Sequence, residues 1–272
     1  MNGLAGAFFT PDDLAQDLAI EVNPGRIIDL CAGIGVLAWN CQQMHERRLR
    51  PNEPGKYGSE FVCVELNPDY VAVGKKIIPE AEWICGSVFD IEELTTKRFE
   101  TAISNPPFGV IRTVKDKKKF KYTGSNFEFL VIEQASRIAD HGTFILPQNS
   151  VPFAYSREEG RPAQVWEGFP FRTSRIYDSF HEQTGIELDM NCGIDTTLYQ
   201  KDWKFKTPVC EIALATFKKE QDASNNQSQS KRNSRRVQDR EHTQSNAGDR
   251  GRVPAASSDA EVPTRAVRQR RR

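Results

Sequence analysis

Residues 102–109 read "AISNPPFG": an apolar run that delivers Asn105, Pro106, Pro107 and Phe108 in that order. An exocyclic amine on a nucleobase is a poor nucleophile, because its lone pair is delocalised into the ring. Two acceptors taking its two N–H bonds would favour a pyramidal, more nucleophilic nitrogen. The Asn105 side-chain carbonyl can be one acceptor and the Pro106 backbone carbonyl the other, while consecutive prolines fix φ and stiffen the turn. Phe108 adds a flat face on which a base taken out of its stack can rest. These four residues are the candidate catalytic group.

Two further segments upstream carry site chemistry. "DLCAGIG" places Asp29 before a loop with Gly33 and Gly35, where the backbone can approach a ligand closely and helix-start amides can face a carboxylate or phosphate. A dinucleotide fingerprint would need a third glycine where Ala38 stands, and Asp29 would repel a pyrophosphate. An acid here suits a ligand with a positive end. "VCVELNPDY" then puts Glu65 about one β-α unit later, at the tip of a second strand, where an acid can accept from both ribose hydroxyls of a nucleoside.

The elements that must hold these groups follow from hydrophobic periodicity. Thr10, Pro11, Asp12 and Asp13 read as a hydroxyl N-cap, a first-turn proline and acids at the positive helix end, which predicts a helix over 11–22. "RIIDL", "EFVCVEL", "EWICGS", "FETAISN" and "GTFILPQNS" read as strands. "GVLAWNCQQMHERR", "PDYVAVGKKII" and "NFEFLVIEQASRIA" read as intervening helices. Alternating units whose strands are continuous apolar runs predict an α/β sandwich on a mostly parallel sheet. After Ser150 the alternation weakens; "FRTSRIYDSF" and "PVCEIALATFK" suggest an antiparallel pair at the sheet edge.

The order "FFTP", "DLCAGIG", "VELNP", "SNPPFG" resembles the S-adenosylmethionine-dependent N6-adenine methyltransferases of DNA, in the arrangement where the cofactor half comes first. The match covers roughly residues 7–150. The resemblance implies a class I methyltransferase (Rossmann-like) fold, a seven-stranded sheet with an antiparallel edge, and S-adenosyl-L-methionine as cofactor. It implies that Phe9, Thr10 and Pro11 line the methionine end, that Asp29, Ala32, Gly33 and Gly35 hold the amino acid part, and that Glu65 holds the ribose. Asn105, Pro106, Pro107 and Phe108 would form the amine pocket. Where such enzymes carry an acid for the cofactor's adenine amine, this chain has Ser87, with Asp90 three residues on. DNA-modifying members also carry a large C-terminal recognition domain, whereas here only residues 151–218 are available, part of which must finish the sheet. A specificity subunit is therefore an implied partner. Structured RNA, a protein glutamine amide, and a non-catalytic nucleic-acid-binding module remain alternative readings.

Between the candidate catalytic group and the next helix, Lys115, Lys117, Lys118, Lys119 and Lys121 interleave with Phe120 and Tyr122, a pattern suited to phosphate contact and base stacking. The formal charge of the whole chain is zero, yet residues 219–272 hold 13 Lys and Arg against 7 Asp and Glu, so the body is acidic and the end basic. That end is poor in apolar residues and reads as a disordered, low-complexity tail after a catalytic domain of residues 1–218, whose edge region runs over about 151–208. No apolar run reaches the length of a membrane span and no export signal is seen, so a soluble, cytoplasmic protein is expected. Six cysteines without a C-x-x-C pair and four histidines without i, i+4 spacing give no metal site.

Overall fold

Seven strands follow one another across a single sheet in the order β3-β2-β1-β4-β5-β7-β6. The computed structural model describes residues 9–48, 58–110, 119–156, 173–205 and 207–217. The chain divides into Met1–Lys219 and Glu220–Arg272. The second part, with nearly all of the expected basic tail, lies outside the described residues.

Strands β1 (Arg26–Leu30), β2 (Glu60–Glu65), β3 (Glu82–Cys85), β4 (Phe99–Ser104) and β5 (Ala139–Pro147) pair in parallel. The apolar runs of β1, β2, β4 and β5 are buried on both faces, as parallel strands sandwiched between helices must be, whereas the edge strand β3 is at most half-buried. Period-2 alternation sorts the side chains: Ile28, Leu30, Val62 and Val64 pack with one group of helices, and Ile27, Phe61, Cys63 and Ile103 with the other. The first face carries α4 (Ile91–Leu94), α5 (Phe127–Ile138) and α6 (Arg175–Thr184). The opposite face carries α1 (Asp12–Ile20) and α2 (Val36–Arg48), with α3 (Pro68–Ile77) beside β3.

Strand β7 (Cys210–Thr216) runs antiparallel to β5, with Cys210 opposite Pro147, and the two-residue β6 (Asp189–Met190) closes the edge against it. The expected antiparallel closure is thus present, but its first member is not where the sequence predicts it. The described residues of "FRTSRIYDSF" enter α6. Ser174 caps that helix by accepting from the Tyr177 amide at 3.3 Å, and Gly185 ends it in the left-handed region at φ 72°. Tyr177 and Phe180, one turn apart, bury against the α5 side. Helix α1 also starts one residue later than its signal: Pro11 occupies the cap position, no side chain caps it, and the Thr10 hydroxyl is engaged elsewhere.

Candidate functional site

In open α/β sheets, ligands bind outside the carboxyl ends of the strands. Here the chain leaves β1 through a loop in which Cys31, Gly33 and Gly35 have φ of 66°, 57° and 90°. Glycine enters that region freely, but for Cys31 it is strained backbone of the sort that collects at functional sites. At Gly35 the backbone disfavours a side chain, and an added Cβ would also crowd the Trp83 ring at 3.1 Å. The Gly33 amide donates to Glu65 Oε2 at 2.8 Å and the Asn67 amide to Glu65 Oε1 at 2.8 Å. The acid at the end of β2 therefore holds the glycine loop from one side. Each oxygen keeps acceptor capacity for a further donor such as a hydroxyl.

Asp29 shares the α1/α2 face of β1 and is 1% exposed. Among the described residues neither of its oxygens has a hydrogen-bond partner in ordinary geometry. Burial pushes its carboxyl well above the usual range; the backbone of Ala38 in α2 opposes this and the nearby Glu65 charge adds to it. Burial also raises the Cys31 thiol, with Glu65 and Asp29 adding to the effect. The loop thus sits beside two acids, Asp29 and Glu65, the first held toward its neutral form by burial, an arrangement that a ligand bringing a positive group would relieve.

Asn105 and the N-terminal segment meet over a long sequence gap: Asn105 Nδ2 donates to Thr10 Oγ1 at 2.9 Å. That bond fixes which way the amide points, with the carbonyl oxygen on its other branch. Phe9, next to Thr10, lies over Gly33, where an added Cβ would meet its ring at 3.7 Å. Its ring is flanked by Tyr70, edge-on at 5.3 Å, and by the Lys204 ammonium 5.8 Å from the centroid. Pro106 is buried, Pro107 and Phe108 are half-buried, and Phe108 packs beside the α1/α2 core. The Ser104 hydroxyl donates to the Leu30 carbonyl, tying the end of β4 to the end of β1. Phe9, Thr10, the glycine loop, Glu65 and Asn105 thus form one connected group at the carboxyl edge. Pro11 and Ala32 are buried beneath it.

Ser87 follows β3 and its hydroxyl accepts from the Phe89 amide at 3.3 Å, capping a short 3₁₀ turn; Asp90 is exposed at the start of α4. In the lysine-rich stretch, Lys115, Lys117 and Lys118 lie outside the described residues. Lys119 pairs with Glu93 at 3.6 Å, and the Lys121 amide donates to Glu133 at 2.7 Å. Phe120 and Tyr122 are core residues, 8% and 3% exposed, so the expected base stacking on them does not occur. Phe120 instead packs edge-on with Phe89 and under the Arg137 guanidinium. Sequence reasoning passes over Tyr70, Trp83, Lys204 and the buried Glu128, whose amide, hydroxyl and ring partners lie far along the chain. The one available signal is Glu128 standing inside the apolar run "NFEFLV".

No family model matches the chain, and no curated protein matches it. Among solved structures, one described as a class I S-adenosylmethionine-dependent methyltransferase from Listeria monocytogenes is similar over 76% of this chain and 58% of its own, at 13% identity and a TM-score of 0.51. A structure described as a modification subunit of a type I restriction enzyme from Vibrio vulnificus matches over 56% and 36%, at 16% identity and 0.46. Another, described as an RNA methyltransferase from Pyrococcus horikoshii, matches over 54% and 66%, at 22% identity and 0.39. The chain spans between about a third and two thirds of the length of these structures. With the strand order and its single antiparallel member, the Listeria likeness defines the fold: the class I methyltransferase, Rossmann-like sandwich.

Proposed function

We propose that this chain is an S-adenosylmethionine-dependent methyltransferase that acts on the N6 amine of adenine in nucleic acid, with DNA as the polymer. The observation that carries the reading is the Asn105–Thr10 hydrogen bond, because it joins the amide suited to an exocyclic amine directly to the segment that covers the glycine loop.

The residues fit the cofactor on their own chemistry. Asp29 is a buried carboxyl that accepts no hydrogen bond of ordinary geometry among the described residues, with the Ala38 backbone nearby, and it suits an ammonium group. Glu65 retains lone pairs for ribose hydroxyls, and Phe9 over Gly33 narrows the methionine end. Ser87 would meet the adenine end with a hydroxyl that caps a turn and keeps a lone pair to accept from the adenine amine. When bound, the cofactor supplies an electrophilic methyl on a sulfonium.

The protein's work is positioning. Asn105 and the Pro106 carbonyl accept the two amine protons and aim the nitrogen, Phe108 offers the flat contact, and the stiff Pro-Pro turn holds both in place. Transfer leaves an ammonium whose proton can pass to water, so no dedicated base is needed.

Among the described residues, those after β5 complete the sheet as α6, β6 and β7 and form no separate reading domain. A partner subunit is the source of target choice in this reading. Lys115, Lys117, Lys118, Lys119 and Lys121, together with the basic residues 219–272, supply phosphate attraction. Among the described residues no helix is long and apolar enough to cross a membrane.

The test is equilibrium binding of S-adenosylmethionine, followed by transfer of labelled methyl to duplex DNA, single-stranded DNA and structured RNA, with Asn105→Ala as control. The proposal expects bound cofactor and label in DNA that the variant does not incorporate. Label in RNA alone would move the polymer assignment. Label in neither, with cofactor bound, would refute the nucleic-acid reading.

A further inference from the structure

Glu128 is a carboxylate in the first turn of α5, 1% exposed and set between Phe127 and Phe129. Among the described residues no cation pairs with it. A buried charge of this kind persists only when hydrogen bonds satisfy it, and here they come from three separate segments. Oε2 accepts from the Gly109 amide at 2.8 Å. Oε1 accepts from Ser150 Oγ at 2.9 Å and from Asn126 Nδ2 at 3.1 Å.

The identity of those segments gives the carboxylate its meaning. Gly109 directly follows Phe108, and its φ of 80° turns the chain away from the Pro-Pro element. Its carbonyl accepts from the Phe127 amide at 2.8 Å, and Val110 bridges to Asn126, so the backbone on both sides of the turn is tied to the start of α5. Ser150 lies in the short turn after β5. Strands β4 and β5 are parallel neighbours, with Ser104 opposite Phe144, so the loops that leave them stand side by side at the carboxyl edge. One carboxylate bridges both.

The loop after β5 has a second buried anchor of the same type. Glu211, fully buried on β7, accepts from Gln148 Nε2 at 2.7 Å and from the Ser156 amide at 2.9 Å, at either end of that loop.

We propose that Glu128 is a positioning residue for the target base, its carboxylate setting the separation between the loop that carries Asn105 to Phe108 and the loop after β5. This rests on the methyl-transfer reading for its catalytic consequence, but not for the clamp itself. Glu128 touches neither substrate nor cofactor; it acts through Gly109 and Ser150. A glutamine of the same shape presents an NH2 to one of these donors, so one wall of the cleft loses its tether while the packing volume is kept.

The experiment uses the full chain with Glu128→Gln and Ser150→Ala. Residue-resolved hydrogen exchange is followed at the amides of Phe108, Gly109 and Val110 and at the non-proline amides of 148–153, beside cofactor affinity and the KM and kcat for an adenine-containing oligonucleotide. Loss of the charge-assisted bond should speed Gly109 amide exchange about tenfold in Glu128→Gln. Misplacement of the pocket should lower kcat/KM for the oligonucleotide by roughly ten- to a hundredfold, with cofactor affinity within about twofold of wild type. Ser150→Ala, which removes one donor and leaves the carboxylate, should fall between wild type and Glu128→Gln, and it carries the test should Glu128→Gln fail to fold. Exchange and kinetics equal to wild type in the variants would overturn the proposal. So would cofactor affinity that falls in step with transfer, since that marks a general loss of structure. If the wild-type chain methylates no polymer, the functional reading fails, and the Gly109 exchange result still decides the clamp.

Discussion

Replacing Asp29 by Asn should make the cofactor-free protein more stable at pH 8 and a poorer binder of its cofactor. Asp29 is buried, its oxygens accept no hydrogen bond of ordinary geometry among the described residues, and burial with the nearby Glu65 charge raises its carboxyl well above the usual range against the opposing Ala38 backbone. In the unfolded chain the same group titrates near about 3.9. Below that value both states hold the proton and Asp29 costs the fold nothing. As pH rises through the folded-state value, the native protein must either keep a proton that the unfolded chain has released or carry a buried, unpartnered charge, so stability is lost with rising pH. Asn at this place keeps a buried carbonyl but cannot ionise, so what it removes is the pH-linked cost, about 1.4 kcal/mol for each pH unit between the unfolded-state and folded-state values. At about 2 kcal/mol, and at about 2–4 °C per kcal/mol for a domain of this size, Asp29→Asn should melt roughly 4–8 °C higher at pH 8. The gap should shrink as pH falls from 8 toward the unfolded-state value, because the unfolded chain then releases less of the proton that the folded protein holds. Calorimetric melts of both proteins across pH 5–8 read this directly, and a titration with S-adenosylmethionine should show affinity down by about tenfold or more, as removal of a charge-assisted hydrogen bond requires. An Asn variant that melts lower at pH 8, or a gap that does not change with pH, would refute the reasoning.

Three further outcomes follow from the same geometry. Asn105→Ala should abolish transfer while leaving cofactor affinity and melting temperature near wild type, checked by pairing the transfer assay with a cofactor titration; equal loss of affinity would show that the residue serves the cofactor instead. In Gly74→Ala the new Cβ would sit 2.0 Å from the Trp83 ring. Overpacking of about 1–3 kcal/mol should then outweigh the better helix propensity of Ala, and Trp83→Phe should restore part of the loss in a denaturant series. Neutralising Lys117, Lys118 and Lys119 together should weaken DNA binding and reduce the slope of log affinity against log salt by about 0.9 for each phosphate that is no longer neutralised; an unchanged slope would remove the stretch from the interface.

The parts of this protein that are legible in its sequence are those set by local pattern. "RIIDL" and "EFVCVEL" announce buried parallel strands because they are unbroken apolar runs. Gly33 and Gly35 announce a loop that needs left-handed backbone, and both have positive φ. Helix α6 is equally available, since Ser174 and Gly185 are its cap and stop, yet the alternation of "FRTSRIYDSF" favours a strand when it is read without them. Thr10 has the right type and place for a cap, and only the fold shows that its hydroxyl serves Asn105, 95 residues away. Phe120 and Tyr122 look like exposed aromatics among lysines, but Phe89, Phe129 and Phe180 claim them for the core. Glu128, Glu133 and Glu211 are the least legible. An acid in a helix or strand reads as a solvated face until the structure shows which distant amides and hydroxyls it receives.

Whether the 6-amino group is the methyl acceptor is decided by nucleoside analysis after transfer to paired oligonucleotides that differ only in whether adenine carries that group. N6-methyladenine should form from the adenine oligonucleotide, with no product from its counterpart lacking the amine and none with Asn105→Ala. A methyl group recovered on another base, or on the amine-free oligonucleotide, would contradict the N6 assignment.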